Sequence, residues 1–189
     1  MTTIVVVRKG RHACIAADTL ARYGSTRESA DYIANAEKIL QVGDTYLAPT
    51  GPASANLILA SVYRDSERSR DFGSLPAVFD RVRELQRVLK EEYFLNPKED
   101  EEDPYESIQM EMLIASPGGI FGVYPLRSIQ EYTRFYAFGS GSDLALGAMH
   151  ATYDRALSVE EIAAAGIEAA ACFDTSTSLP MSVRTIELA

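Results

Sequence analysis

A threonine placed directly after the first methionine is where chemistry could begin in this chain. If Met1 is removed, Thr2 becomes the terminus, with a hydroxyl and a free α-amine on one residue. That pairing is one way to activate a weak oxygen nucleophile. The reference pKa of an α-amine, about 7.7–8.0, leaves an appreciable neutral fraction near pH 7, so no histidine is needed as the base. Asp18 ends an apolar run and Lys38 precedes another. A lysine drawn into an apolar region is costly unless paired, and Asp18 is a partner that would make it tolerable. Held near a hydroxyl and an amine, that lysine would favour their deprotonated forms. Gly51 lies just past a further strand-like stretch and could offer its backbone N–H to a developing oxyanion. Each residue also has a plain reading: Thr2 as a strand start, Asp18 and Gly51 as turn residues, Lys38 as a surface lysine.

Other chemistries have little support. His12 and His150 are isolated, which leaves a Ser-His-Asp or Cys-His mechanism cramped. Cys14 and Cys172 make neither a disulfide framework nor a metal-binding spacing. The acidic run at residues 99–103 lacks the ligand spacing of a calcium loop and reads as solvated. Neither a metal nor a cofactor is expected. A net charge of -9 over 189 residues repels phosphate backbones and anionic membranes, so nucleic-acid and membrane partners are not expected. No apolar run is long enough to span a bilayer. Arg8 and Lys9 follow the first apolar run rather than precede it, unlike a signal peptide, and a cytoplasmic location is expected.

The elements that must hold these residues can be read in order. Residues 3–7 and 12–17 are apolar strands joined at Lys9-Gly10-Arg11, a hairpin. Residues 20–36 read as polar and irregular, with Gly24 and Ser25 as breakers. Strands at 38–42 and 46–48 flank Gly43-Asp44. Helical periodicity covers 53–64, and a well-marked amphipathic pattern covers 75–89. A charged loop follows at 96–104. Strands are expected at 108–115, 120–123 and 135–138, and Ala-rich helices at 144–156 and 159–173. The last helix opens with Ser158 and Glu161, a capping box. A strand at 181–188 closes the chain. Helix pairs bracketing strands predict an α+β fold, two packed sheets with helices outside each. One domain over residues 1–189 is expected.

The order of these residues resembles that of the proteasome β-type subunits among the N-terminal nucleophile hydrolases. The matching stretches are Thr2-Thr3-Ile4-Val5, Ala16-Ala17-Asp18, Lys38-Ile39 and Thr50-Gly51. Gly139-Ser140-Gly141 is similar to the family's Gly-Ser-Gly segment. Asp174-Thr175-Ser176-Thr177 is similar to its late Asp-x-x-Ser segment, with Thr177 in place of the serine. The start resembles simple bacterial members such as the HslV peptidase, while the Lys38 and Gly-Ser-Gly regions look closer to true proteasome β subunits. A bacterial proteasome homologue distinct from both fits best.

The resemblance implies a four-layer α-β-β-α sandwich of antiparallel sheets and a threonine-type endopeptidase. Thr2 would be the nucleophile and its amine the base. Asp18 and Lys38 would tune the proton transfer. Ser140, Asp174 and Thr177 would support the terminus, and Gly51 would serve the oxyanion. It also implies stacked hexameric or heptameric rings of this chain, peptide or unfolded protein as substrate, and a separate AAA+ ATPase partner. Departures from the pattern are Leu20 where members often carry an arginine, a longer Asp18–Lys38 stretch, Pro49 near the oxyanion position, and Ser178 for a glycine. A non-catalytic ring subunit and a small-molecule amidase are the alternative readings. A phosphate-loop reading of Gly139-Ser140-Gly141 lacks both the later glycine of a dinucleotide fingerprint and the Gly-Lys-Ser/Thr of a P-loop.

Overall fold

The computed structural model describes residues 2–65, 68–98 and 100–189. Met1, whose removal is invoked above, and Glu99 at the head of the acidic run lie outside them. Strand β1 (Thr3–Lys9) and strand β2 (His12–Asp18) pair antiparallel across the Gly10 turn, with Val5 opposite Ala16. Gly10 takes φ +61° there, a left-handed conformation that glycine adopts without steric cost.

Both strands are apolar throughout because both of their faces are covered. Ile4, Val6, Ala13, Ile15 and Ala17 face a second sheet and meet Ala48, Leu113, Ala115 and Ile120. Their neighbours Val5, Val7, Cys14 and Ala16 point the other way, onto helices. That alternation is the two-residue period of a strand seen from both sides. Strands β10 (Phe135–Gly139) and β11 (Met181–Glu187) complete this sheet in the order β10-β1-β2-β11.

The second sheet runs β5-β6-β7-β8-β9, antiparallel throughout. Its strands are β5 (Leu40–Val42), β6 (Thr45–Pro49), β7 (Met112–Ser116), β8 (Gly119–Val123) and β9 (Ile129–Tyr132). Helices α1 (Ala55–Val62) and α2 (Leu75–Glu92) cover its outer face. Helix α2 starts at Ser74, whose hydroxyl caps the Ala77 N–H, and buries Val78, Val82, Leu85 and Leu89. Helices α3 (Ser142–Thr152) and α4 (Val159–Phe173) cover the first sheet, α4 opening on the expected capping box of Ser158 and Glu161. The result is the α-β-β-α sandwich.

Several local readings need correction. Residues 20–36 are not wholly irregular: β3 (Ala21–Tyr23) and β4 (Thr26–Glu28) form a small hairpin around Gly24. The pair is short and mostly exposed, so it carries no hydrophobic period to read. Edge strand β9 went unread because its central residues Gln130 and Glu131 are polar and exposed. Residues 108–111 precede β7 rather than belong to it, since Gln109 takes a left-handed φ of +57° that interrupts extended pairing. Lys38 stands before β5 rather than within it.

Candidate active site

Hairpin register brings the first two groups together. Ile4 pairs with Ala17, so Asp18 at the end of β2 lies beside the residues that open β1. The Thr2 hydroxyl donates to Asp18 Oδ1 at 2.6 Å, and the Thr3 N–H donates to the same oxygen at 3.0 Å. Asp18 Oδ2 accepts from the Leu20 N–H at 3.0 Å and the Ser178 N–H at 3.4 Å. Asp18 is 0% exposed, and a fully buried carboxylate is tolerable only when its lone pairs are filled in this way.

Lys38 arrives from the extended segment ahead of β5. Its ammonium donates to Thr2 Oγ1 at 2.7 Å, to Asp18 Oδ1 at 2.8 Å and to the Leu20 carbonyl at 2.7 Å. These partners match the three N–H bonds of an ammonium. Burial lowers the Lys38 pKa, and the Asp18 charge and hydrogen bond oppose that without cancelling it. The Thr2 hydroxyl therefore gives its proton toward a carboxylate while accepting from a lysine whose proton is loosened.

A second carboxylate fixes the chain start from the other side. The Ser140 N–H donates to the Thr2 carbonyl at 2.9 Å, and the Gly141 N–H to Thr3 Oγ1 at 3.2 Å. Thr3 and Thr177 hydroxyls lie 2.5 Å apart, and Thr177 donates onward to Asp174 Oδ2 at 2.6 Å. A carboxylate can only accept, so the chain has one direction: Gly141 to Thr3 to Thr177 to Asp174. Ser140 Oγ donates to the same carboxylate oxygen at 2.7 Å. Partial burial works against the Asp174 charge, yet bonds from Thr177, Ser140 and the Ser176 N–H outweigh it and hold the pKa below the ordinary value. Because the Ser140 and Gly141 amides serve the chain start, they are not arranged as a phosphate loop.

Gly139 makes this approach possible. It takes φ +96°, and a Cβ there would lie 1.9 Å from the Thr2 carbonyl oxygen. Gly139→Ala is expected to push the chain start away from Asp18, lowering the melting temperature of the protein and any activity at Thr2 together. Unchanged values of both in a thermal melt and an activity assay would contradict this.

Thr2 opens onto a cavity of about 610 Å³. Ala21, Pro49, Ala53, Ile33 and Leu57 give it apolar wall, but Arg22, Glu28 and Glu37 also line it, so the pocket is mixed rather than purely small and apolar. Gly51 lines it too, at φ +112°. Pro49 has no N–H, and the Thr50 N–H is taken by the Glu111 carbonyl at 2.8 Å. That leaves Gly51 as the first residue after Pro49 and Thr50 whose amide is not taken by the Glu111 carbonyl. The structure assembles Thr2, Asp18, Lys38, Ser140, Asp174 and Thr177 in one hydrogen-bonded group, with Gly51 on the wall of the cavity that Thr2 opens onto. Among the described residues, no cluster of histidine, cysteine and carboxylates could hold a metal.

No protein-family model and no curated protein matches the sequence. Solved structures do. A bacterial proteasome homologue, BPH of Thiobacillus denitrificans, is 45% identical, with a TM-score of 0.93 over 100% of this chain and 99% of that one. The same protein in complex with epoxomicin is 44% identical, with a TM-score of 0.92 over the full length of both chains. The chain belongs to the HslV-like proteasome family. HslV from Trypanosoma brucei, at 18% identity and TM-score 0.67 over 98% of this chain and 99% of that one, shares the fold. As a family member this chain is a hydrolase of the N-terminal nucleophile superfamily. None of its described helices is long and apolar enough to cross a membrane.

One residue of this proteasome-family site escaped the sequence reading. Arg22 on β3 donates to Ser176 Oγ at 2.7 Å and to the Gly24 carbonyl at 3.0 Å. It ties the cavity wall to the loop that carries Asp174 and Thr177. Leu20 stands where family members often carry an arginine. The signal available was an arginine close behind Asp18, hidden by the unread β3.

The Asp174 network makes a pH prediction. A carboxylate whose pKa is depressed by folding contributes stability above its unfolded pKa, about 3.9, and loses it as pH falls through the lower folded value. Asp174→Asn is expected to remove that contribution. Its melting temperature would fall less than that of the parent chain between pH 5 and the acid limit. Parallel melting curves for the two proteins over that range would contradict the assignment.

Proposed function

We propose that this chain is a threonine-type endopeptidase whose nucleophile is the Thr2 hydroxyl. One observation carries the reading: Thr2 Oγ1 lies 2.6 Å from Asp18 and 2.7 Å from Lys38, at the edge of a cavity that Gly51 also lines. Hydrolytic loss of Met1 frees the Thr2 α-amine, which then serves as general base. Oγ1 attacks the peptide carbonyl carbon, and its proton passes by way of the amine to the departing nitrogen. The carbon–nitrogen bond breaks and an ester on Thr2 remains. Water then adds to that ester, releasing the acid and restoring the hydroxyl.

Lys38 lowers the cost of the developing negative charge on Oγ1. Asp18 holds Lys38 and the hydroxyl in register. Asp174, with Ser140 and Thr177, holds the chain start so that Oγ1 and the amine keep their mutual geometry. Gly51 meets the oxyanion, the kind of preorganised donor whose loss costs roughly 10²–10³ in rate. By likeness to HslV and BPH, the chain assembles into stacked rings, hexameric or heptameric, around the sites. A separate AAA+ ATPase feeding unfolded protein and a cytoplasmic setting complete the proposal.

Epoxomicin, seen bound to the Thiobacillus BPH, provides the test. Incubation of the natively expressed protein with epoxomicin, then intact-mass measurement and peptide mapping, is expected to give one covalent adduct on Thr2 with Met1 absent. Retained Met1 with no adduct would overturn the peptidase reading in favour of a non-catalytic ring subunit.

A further inference from the structure

Glu111 belongs to none of the groups described above, yet it holds the residue next to Gly51 twice. Its carbonyl accepts from the Thr50 N–H at 2.8 Å, and its carboxylate accepts from Thr50 Oγ1 at 3.3 Å. Both bonds come from the short segment that runs into β7, where Pro49 already pairs with Met112. Glu111 is thus tied to the turn through backbone and side chain at once.

The rest of that segment closes off the space where a side chain at residue 51 would stand. The Cβ position of Gly51 is 3.0 Å from the Gln109 carbonyl oxygen and 3.4 Å from Met110 Cβ. Gln109 keeps a left-handed φ of +57°, a conformation that persists only where its surroundings impose it. They do so here: the Gln109 N–H donates to Ser107 Oγ at 2.9 Å and its side-chain amide to the Lys98 carbonyl at 3.0 Å. Tyr124, Tyr132 and Tyr136 form an aromatic group, with Tyr132 and Tyr136 stacked at 4.3 Å. Burial and then the Tyr124 hydrogen bond raise the Tyr132 pKa, with the Glu111 charge adding to the rise, which places the carboxylate within electrostatic reach of that group.

We propose that Glu111 is a positioning residue that fixes where the Gly51 N–H points, so that the strained segment 107–111 sets the aim of the oxyanion donor. The proposal rests on the threonine-peptidase reading, in which Gly51 meets the oxyanion. Glu111 is not among the residues that line the cavity. It acts through Thr50: without the carboxylate only the backbone bond remains, and the turn gains freedom to swing while the cavity stays open. A displacement near 1 Å at a reacting centre costs up to about 10²-fold in rate, and a donor that can still partly reach should lose less.

The experiment compares the parent chain with T2A, E111A, E111Q and T50V, on one fluorogenic peptide. E111A and T50V are expected to lower kcat about tenfold with KM within about twofold. E111Q keeps an oxygen for the Thr50 hydroxyl and is expected to stay within about threefold of the parent. A peptide aldehyde, whose adduct oxygen sits where the oxyanion forms, should lose affinity for E111A in proportion to kcat. The corresponding peptide alcohol, which forms no adduct, should bind both proteins equally. Thermal melts identify any variant that has simply unfolded, and T50V, which removes the other partner of the same bond, is then read by kcat and by the same aldehyde-to-alcohol contrast in place of E111A. Equal kcat in parent and E111A, or E111Q as impaired as E111A, would overturn the proposal. A parent no faster than T2A would instead bring down the peptidase reading beneath it.

Discussion

Thr2→Ala is expected to abolish peptide hydrolysis while leaving the fold in place. The hydroxyl removed is the proposed nucleophile, and loss of a nucleophile in a covalent mechanism costs on the order of 10⁶ in kcat where it has been measured in a serine enzyme. Background hydrolysis would set the floor, so a fall of at least about 10³-fold is the practical expectation. Stability should change little. Asp18 loses one donor but keeps the Thr3, Leu20 and Ser178 amides and Lys38. One hydrogen bond is worth about 1 kcal/mol, which sets the expected loss. Thr2→Ser keeps both hydroxyl and amine and should retain measurable turnover. Turnover by Thr2→Ala equal to that of the parent chain, in a preparation free of contaminating peptidase, would exclude Thr2 as the nucleophile.

Lys38→Met is expected to damage both activity and stability, which separates it from the Thr2 variant. The substitution keeps an unbranched chain of similar length but removes the charge. Asp18, with no exposed surface, then holds a carboxylate with its ion-pair partner gone. Breaking a buried pair in this way costs about 3–5 kcal/mol. The Lys38 side chain is 14% exposed, so water can enter and the lower figure, about 3 kcal/mol, is the expectation. At this chain length that corresponds to a fall of roughly 10 °C in melting temperature. Activity should fall by about 10² or more through loss of charge beside Thr2 Oγ1.

The sign of the pH effect on Lys38 also follows. Its folded pKa is depressed, chiefly by burial. Between that folded value and the ordinary one the unfolded chain binds more protons. Stability therefore rises with pH across the window, and Lys38→Met lacks that rise. Melting temperatures of both proteins across the alkaline range measure the difference. A Lys38→Met protein as stable and as active as the parent would remove Lys38 from the mechanism.

These two residues also show how far the sequence reaches. Thr2 and Asp18 could be read because they sit at two ends of one hairpin. Local β-branched composition, a Gly10 turn and the two-residue period suffice to place them side by side. The layers were legible for the same reason. Strands β1 and β2 carry no polar face, so each had to be covered twice, and the paired amphipathic helices supply the covers. The capping box of α4 is likewise local, and it stood where the residues placed it.

What lay outside the sequence was whatever depends on a contact made from far along the chain. That Lys38 turns its ammonium to Thr2 and Leu20 is decided by the packing of the segment before β5, since no periodicity marks the direction of an isolated lysine. The hairpin β3–β4 had no hydrophobic signal because it packs little, and with it Arg22 was lost. The left-handed Gln109 and the double hold of Glu111 on Thr50 belong to the same class. Composition and spacing determined the strands and their two-sided burial, because those follow from local propensity and apolar pattern, whereas the candidate roles of Ser140, Asp174 and Thr177 came from the family resemblance. Only the tertiary structure decided which hydrogen-bond partners Thr2, Lys38 and Asp174 take and which residues wall the cavity, because those are set by partners distant in sequence.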